Sequence, residues 1–267
     1  MATYSTLGIT LLVRKYKGTG RVVSFYTPTR GKVEAVAQGI GRPASKLAAA
    51  VELFTLSKLM FAEGRDLDRL IQVEVIEAHY ALRQDMTRLA YASYIAELTA
   101  KTSEPDHPLP GLFERLAATY SALCGATSAG SLRQAQDKTG QATDPELVLW
   151  SYLMRLFQAH GLAPDLEVCY RCRAALSGDA WYVPADAGLV CGGCRPGENG
   201  MLLSAEARGT VQSIQRMPPE KLGRLSLGDE ARGQIRRFID AHTDHQFGVE
   251  TKSRKFIRQL RGMSRGR

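Results

Sequence analysis

The chain has 267 residues, 44% of them hydrophobic, and a formal net charge of +8. This length can bury one large core or two modest ones, so we expect two domains rather than a small scaffold that depends on disulfides. No apolar run approaches the roughly 20 residues that a transmembrane helix needs, so we expect a soluble protein with no membrane partner.

The first eighty residues show the pattern of short β-strands. Runs rich in Val, Ile, Leu and aromatic residues predict strands at residues 8–16, 21–27, 32–38, 53–62 and 67–78. Gly- and Pro-containing turn signals separate these runs. Five short strands in succession predict a small antiparallel barrel. An OB-fold is the natural candidate, because it is a five-stranded barrel whose face binds single-stranded nucleic acid.

The positive charge is concentrated at the two ends of the chain. Residues 1–50 hold eight Lys and Arg against Glu34, and residues 250–267 hold seven against Glu250. Residues 51–249 hold twenty basic and twenty-five acidic side chains. Charge segregated in this way is typical of a surface that binds a polyanion, because each Lys or Arg placed on a phosphate releases a condensed counterion.

Two sets of cations are therefore candidate DNA contacts. The first surrounds the predicted hairpins and loops of the barrel and comprises Arg14, Lys15, Lys17, Arg21, Arg30, Lys32, Arg42 and Lys46. The second lies in the C-terminal basic stretch and comprises Lys252, Arg254, Lys255 and Arg258. That stretch either contacts DNA or packs Phe256 and Ile257 against the barrel, with the last six residues solvated.

The adjacent aromatic residues Phe25 and Tyr26 offer a further candidate contact. Neighbouring strand residues point to opposite faces, so we expect one of the two in the core. The other would then be exposed and able to stack on a base.

The pattern changes to helix after the predicted strands. Apolar residues recur near 3.6-residue spacing at residues 81–101, 112–124, 146–160, 204–217 and 229–246. Residues 125–143 lack this periodicity and predict a long, mobile loop. We therefore expect an α+β chain, with an OB-fold domain at residues 1–79 and an all-helical domain at residues 80–267.

Four cysteines give the strongest signal for a specific site. Cys169, Cys172, Cys191 and Cys194 form two C-x2-C pairs, spaced so that two loops can surround one metal ion. We expect one Zn²⁺; a disulfide framework and an iron–sulfur cluster are the alternatives. A disulfide framework is typical of small secreted chains, whereas this chain is long and shows no signal segment after Met1, so we expect a reducing cytoplasm.

A four-thiolate zinc site has no open coordination position, so this metal should hold structure and perform no chemistry. We expect the module, at about residues 165–200, to be inserted in the helical domain. The charged residues of this module are Arg171, Arg173 and Arg195 against Asp165, Glu167, Asp179, Asp186 and Glu198. This balance argues against a cationic module that reads bases, as a sequence-specific zinc-ribbon regulator would need.

An enzyme is the rival class, and the sequence offers no support for it. A zinc deaminase needs an H-x-E before its P-C-x-x-C, and none of the five histidines has Glu two positions on. No stretch matches the phosphate-binding G-x-x-x-x-G-K-[ST], so ATP use is also unsupported.

Four segments taken together resemble a known family, the RecO recombination mediators of bacteria. They are residues 26–39 (YTPTRGKVEAVAQG), residues 82–94, the run at residues 161–166 leading into Cys169, and the C-terminal motif at residues 248–256. The chain departs from the family pattern in a longer loop at residues 125–143. It also has Arg173 where a glycine often follows the second cysteine.

The resemblance implies an OB-fold domain, a helical domain, a zinc module and no enzymatic activity. It also implies binding of single- and double-stranded DNA, annealing of complementary strands, and binding of the acidic C-terminal tail of single-stranded DNA-binding protein. Joining RecR so that the recombinase RecA can load is the last implied step. Annealing fits the charge pattern, because excess cations offset the repulsion between two strands while base pairing supplies specificity.

Overall fold

The computed structural model describes residues 2–40, 47–48, 52–125, 144–195, 197 and 200–264. The chain divides into two compact units, Met1–Ala135 with Glu250–Arg267, and Gln136–Val249. The domain limits expected from the sequence, residues 1–79 and 80–267, stay a prediction. Arg42, Lys46 and the predicted loop after residue 125 lie outside the described residues.

The first unit begins with a closed five-stranded barrel, as the sequence predicted. Its strands are β1 (Thr3–Lys15), β2 (Arg21–Thr27), β3 (Gly31–Ala37), β4 (Leu56–Ala62) and β5 (Asp68–Glu77). They are ordered β1-β2-β3-β5-β4. Neighbouring strands are antiparallel except β3 and β5, which form a short parallel pairing.

The barrel core follows from the alternation of side chains along each strand. On β3, Val33, Ala35 and Ala37 are buried, whereas the residues between them are partly exposed. The rings of Phe25 and Phe61 meet edge to face at 5.7 Å in this core. Burying one such aromatic side chain contributes about 1.5–3 kcal/mol, so the barrel interior carries much of this unit's stability.

Two strands begin more than one residue away from the predicted position, because of tertiary contacts. β1 begins at Thr3 rather than residue 8, since its polar first residues pair with β4, Thr3 opposite Ala62. β4 begins at Leu56 rather than residue 53, because Phe54 has a left-handed φ of 69°. The Phe54 N–H donates to the Thr10 carbonyl at 2.9 Å, which replaces ordinary strand pairing at this point.

Helices complete the first unit. They are the 3₁₀ turn Tyr80–Arg83, α1 (Met86–Thr102), α2 (Leu112–Cys124) and the C-terminal α6 (Lys252–Ser264), which packs on α1. Glu97 of α1 caps the start of α6 by accepting from the N–H groups of Lys252 and Ser253. The sequence did not predict α6 as a helix, because this long-range cap and its buried face are tertiary features.

The second unit contains α3 (Pro145–Ala159), β6 (Ala180–Val183), β7 (Gly188–Val190), β8 (Met201–Leu203), α4 (Ala205–Arg216) and α5 (Asp229–Phe247). Three 3₁₀ turns, Pro184–Asp186, Gly192–Cys194 and Pro219–Arg224, connect them. The strands form an antiparallel sheet ordered β7-β6-β8. In chain order, this sheet and the four cysteines come after α3 and before α4. This order confirms the predicted cysteine module within a helical region.

A buried histidine ties this sheet to the helices of the second unit. The Tyr182 hydroxyl of β6 donates to Nδ1 of His242 on α5 at 2.9 Å. Nε2 of His242 donates to the Leu162 carbonyl, also at 2.9 Å. Burial lowers the pKa of His242, so the neutral imidazole is the form that links β6, α5 and the segment after α3 that contains Leu162. Within the described ranges, no helix combines the length and apolar character needed to cross a membrane.

Candidate nucleic-acid interface and metal centre

The β1–β2 hairpin brings four of the predicted cations to one end of the barrel. Strand register places Lys15 opposite Arg21, with Arg14 one position before Lys15 and Lys17 in the turn. The turn closes through the Tyr16 N–H on the Gly20 carbonyl at 3.0 Å. Arg14, Lys15 and Lys17 are exposed and Arg21 is partly exposed. We call Arg14, Lys15, Lys17 and Arg21 the hairpin cluster.

One acidic residue lies against the hairpin cluster. Glu34 of β3 accepts from Arg14 Nη2 at 3.1 Å and from the Ser24 hydroxyl at 2.8 Å. The Arg14 side chain is 62% exposed and that of Glu34 is 31% exposed, so solvent screens this ion pair and it adds little stability. Four cations against one carboxylate leave the hairpin with a local charge of about +3.

Arg30 and Lys32 lie apart from the hairpin cluster and already bind protein groups. Arg30 Nε donates to Asp106 at 2.7 Å, and the guanidinium lies 4.6 Å from the Tyr4 ring centroid. The hydrogen bond to Asp106 raises the pKa of Arg30, and the same contact lowers the pKa of Asp106. Lys32 Nζ donates to the Ala100 carbonyl at 3.1 Å. Asp106 therefore offsets the charge of Arg30, and the Lys32 ammonium is held against α1 although its charge is not neutralised.

The prediction that either Phe25 or Tyr26 is exposed and can stack on a base is wrong, because both side chains are 0% exposed. Phe25 lies in the barrel core, as alternation required. Tyr26 points to the other face, but its hydroxyl accepts from the Leu109 N–H at 3.0 Å, so the segment before α2 covers it. The hairpin offers a different ring, the partly exposed Tyr16, with Lys17 Nζ 5.9 Å from its centroid.

The C-terminal candidates divide between the two faces of α6. Lys252, Lys255 and Arg258 are exposed, whereas Arg254 is only 9% exposed. Lys255 forms an ion pair with the exposed Glu250 at 2.8 Å. Ile257 is buried as expected for packing, whereas the neighbouring Phe256 is 38% exposed. The three exposed cations follow one another at three-residue intervals along the outer face of the helix.

The four cysteine sulfurs form a compact group in the second unit. All four Sγ atoms lie within 4.8 Å of one another, and Cys172 and Cys191 are 3.7 Å apart. Tetrahedral zinc with Zn–S bonds of about 2.3 Å places its sulfurs about 3.8 Å apart, so the group fits such an ion. Cys169 is buried and Cys172 is exposed, which sets the group at the edge of the module.

Backbone geometry prepares one of these sulfurs, that of Cys169, to ionise. Burial disfavours a charged Cys169, but hydrogen bonds from backbone N–H groups, including that of Cys191, outweigh it and lower the pKa of the thiol to about 6. Hydrogen bonding with Cys172 raises the pKa of Cys194 to about 12. A divalent cation would displace the remaining protons, because a coordinating thiol is deprotonated. The four sulfurs can therefore hold one metal ion.

The two family models that match this chain describe recombination proteins. "Recombination protein O N terminal" matches residues 1–79, which include the whole barrel, and "Recombination protein O C terminal" matches residues 83–255. The chain therefore belongs to the RecO family, as the sequence motifs predicted.

Curated relatives extend over nearly the full chain. The DNA repair protein RecO of Symbiobacterium thermophilum is 31% identical over 98% of this chain and 99% of its own length. The RecO of Moorella thermoacetica is 30% identical over 96% of this chain and 90% of its own length. The RecO of Halalkalibacterium halodurans is 27% identical over 96% of this chain and 94% of its own length.

Proposed function

We propose that this protein acts in DNA repair as a recombination mediator. It binds single- and double-stranded DNA, anneals complementary strands and helps to load a recombinase onto strands covered by single-stranded DNA-binding protein. Its partners are RecR and the acidic C-terminal tail of single-stranded DNA-binding protein. It acts without an active site of its own, in the cytoplasm, at the nucleoid that holds its DNA substrate.

The hairpin cluster is the observation that carries this proposal. Four cations gathered at one end of a barrel form an electrostatic track for a phosphate backbone, and such a track needs no base-specific contact. Because phosphate charge is neutralised on this surface, a second strand can approach with less repulsion. Base pairing then selects the partner strand, and no bond is made or broken by the protein.

One Zn²⁺ is the metal we assign to Cys169, Cys172, Cys191 and Cys194. Four sulfurs at mutual distances suited to tetrahedral coordination favour zinc over harder cations, which prefer oxygen ligands. When bound, the ion would cross-link the two C-x2-C loops. With all four positions filled by thiolates, its contribution is to folding.

Annealing of complementary oligonucleotides, without nucleotide cofactor and across a salt series, tests the proposal. The test variant replaces Arg14, Lys15, Lys17 and Arg21 by Ala. The matched control removes the same charge from exposed cations of the second unit, Arg216, Lys221, Arg224 and Arg237. We expect the wild type and the control to anneal and the hairpin variant to fail while keeping its fold and its metal.

The salt dependence gives a quantitative check. Each phosphate contact on a single strand adds about 0.7 to the slope of log affinity against log salt, so loss of four contacts should reduce that slope by about 3. Wild-type protein that neither binds nor anneals DNA at low salt would overturn the proposal. The chain would then be a zinc-stapled interaction module.

A further inference from the structure

Three arginines flank the exposed side of the cysteine group. Arg171 and Arg173 stand on either side of Cys172, and Arg195 follows Cys194. All three arginines are exposed, as is Cys172 itself. Counted along the sequence, five acidic residues of the module outnumber these three arginines. The structure distributes the charges differently.

The described carboxylates of the module are already engaged with other groups. Two of them form ion pairs, Asp186 with Arg171 at 2.8 Å and Glu167 with Arg216 at 2.7 Å. The other two accept hydrogen bonds from backbone N–H groups, Asp179 from Ala205 at 3.0 Å and Asp165 from Glu167 at 2.8 Å. Within the described part of the chain, the Arg173 and Arg195 side chains have no carboxylate partner. The module therefore presents two exposed guanidiniums that no described carboxylate holds.

Arg173 occupies a backbone position that normally favours glycine. Its φ is +63°, in the left-handed region, where its N–H donates to the Cys169 carbonyl at 2.9 Å to close the first cysteine loop. A side chain in this conformation costs about 1 kcal/mol relative to glycine. Strain of this kind at an exposed residue points to a use for the side chain.

Flat aromatic rings accompany these cations. Trp181 of β6 is partly exposed, and the Arg195 guanidinium lies 5.1 Å from its ring centroid. Tyr170, inside the first cysteine loop between Cys169 and Cys172, is 54% exposed. Rings that remain accessible beside guanidiniums suit bases stacked along a phosphate chain. Tyr170, Arg173, Trp181 and Arg195 together are termed the knuckle surface below.

We propose that the knuckle surface binds single-stranded nucleic acid, with Arg173 and Arg195 on phosphates and an exposed ring against a base. This inference rests on the proposed function and extends it, because it places a second strand contact on the second unit, separate from the hairpin cluster. Nucleic acid is the occupant favoured by charge and shape together, since it brings both a polyanion and planar bases.

Tryptophan fluorescence can follow this contact directly. The chain has two Trp residues, and Trp150 is 2% exposed. In a Trp150→Phe variant, Trp181 is the remaining fluorophore, and titration with an oligothymidylate should quench it in a saturable, salt-dependent manner. A base stacked on the ring is the source of the expected quenching.

A charge variant gives a second readout in the otherwise wild-type chain. Arg173→Gly combined with Arg195→Gln should weaken oligothymidylate binding several-fold and reduce the salt slope by about 1.4, two phosphates' worth. Arg173→Gly alone should raise the thermal midpoint of unfolding, because glycine relieves the backbone strain. The matched control, Arg224→Gln with Arg237→Gln, removes the same charge from exposed cations of the same unit and should leave affinity unchanged.

Several outcomes would overturn the inference. Unchanged affinity and slope in the double variant, with no quenching of Trp181, would do so while leaving the proposed function intact. Reduced zinc content with unchanged DNA affinity would show instead that the arginines offset the negative charge of a metal–thiolate group. Quenching by an oligoglutamate peptide but not by DNA would identify a protein interface. Absence of DNA binding by the wild-type protein would refute the proposed function itself, and with it this inference.

Discussion

Glu34 offers a test in which removing one carboxylate should strengthen DNA binding. Its carboxylate holds Arg14 at 3.1 Å within the hairpin cluster. A Gln at this position can still accept the Ser24 hydroxyl, so the hydrogen bond at 2.8 Å need not be lost. The substitution E34Q therefore frees Arg14 for a phosphate with little change in the barrel.

The size of the effect follows from counterion release. One additional phosphate contact adds about 0.7 to the salt slope on single strands, which at 0.1 M salt corresponds to at most about fivefold tighter binding. The cost to folding should stay below about 1 kcal/mol, because the broken ion pair is partly exposed. Fluorescence anisotropy of a labelled oligothymidylate across a salt series measures both quantities, and urea unfolding measures stability.

The exposed Glu74 of β5 provides the matched control. E74Q makes the same change in net charge outside the hairpin and should leave the salt slope unaltered. If E34Q left affinity and slope unchanged, or weakened binding, Arg14 would not be a phosphate contact. Equal gains in both variants would mean that net charge alone governs binding.

Three further predictions concern the second unit. Cys191→Ser should abolish retention of zinc and lower the thermal midpoint by about 5–10 °C, whereas Cys124→Ser should retain the metal; elemental analysis and calorimetry check this. His242 is neutral when folded and its pKa is lowered by burial, so the unfolded chain binds the extra proton and stability should fall as the pH drops below about 6.5. His242→Gln should flatten that dependence, measured by urea unfolding at several pH values. Glu146, whose side chain is 6% exposed, holds Arg236 through two hydrogen bonds of 2.8 Å, and Glu146→Gln should cost about 2–4 kcal/mol of unfolding free energy; unchanged stability would contradict this.

Local sequence signals were enough to predict the barrel and most helices. Alternating apolar residues and Gly turns defined the strands, and α2 falls at the predicted residues 112–124. The start of α3 was also predictable, because Asp144 caps it and Pro145 occupies its first position. The spacing of the four cysteines was sufficient to predict that their sulfurs converge.

The features that escaped prediction depend on contacts distant in sequence. Tyr26 is buried because residues far along the chain cover that face of the barrel, which strand alternation cannot reveal. Helix α6 begins where Glu97, more than 150 residues earlier, caps it. A count of charges in the cysteine module also cannot show which acidic residues form ion pairs with arginines. Asp186 holds Arg171, whereas Arg173 projects from a strained turn.

The most direct test of the central claim is the rate of oligonucleotide annealing by the hairpin variant beside the charge-matched control. We predict fast annealing by the wild type and the control, and loss of annealing in the variant lacking Arg14, Lys15, Lys17 and Arg21, with zinc content and thermal unfolding retained. Annealing by that folded variant at the wild-type rate and with the wild-type salt slope would contradict the account.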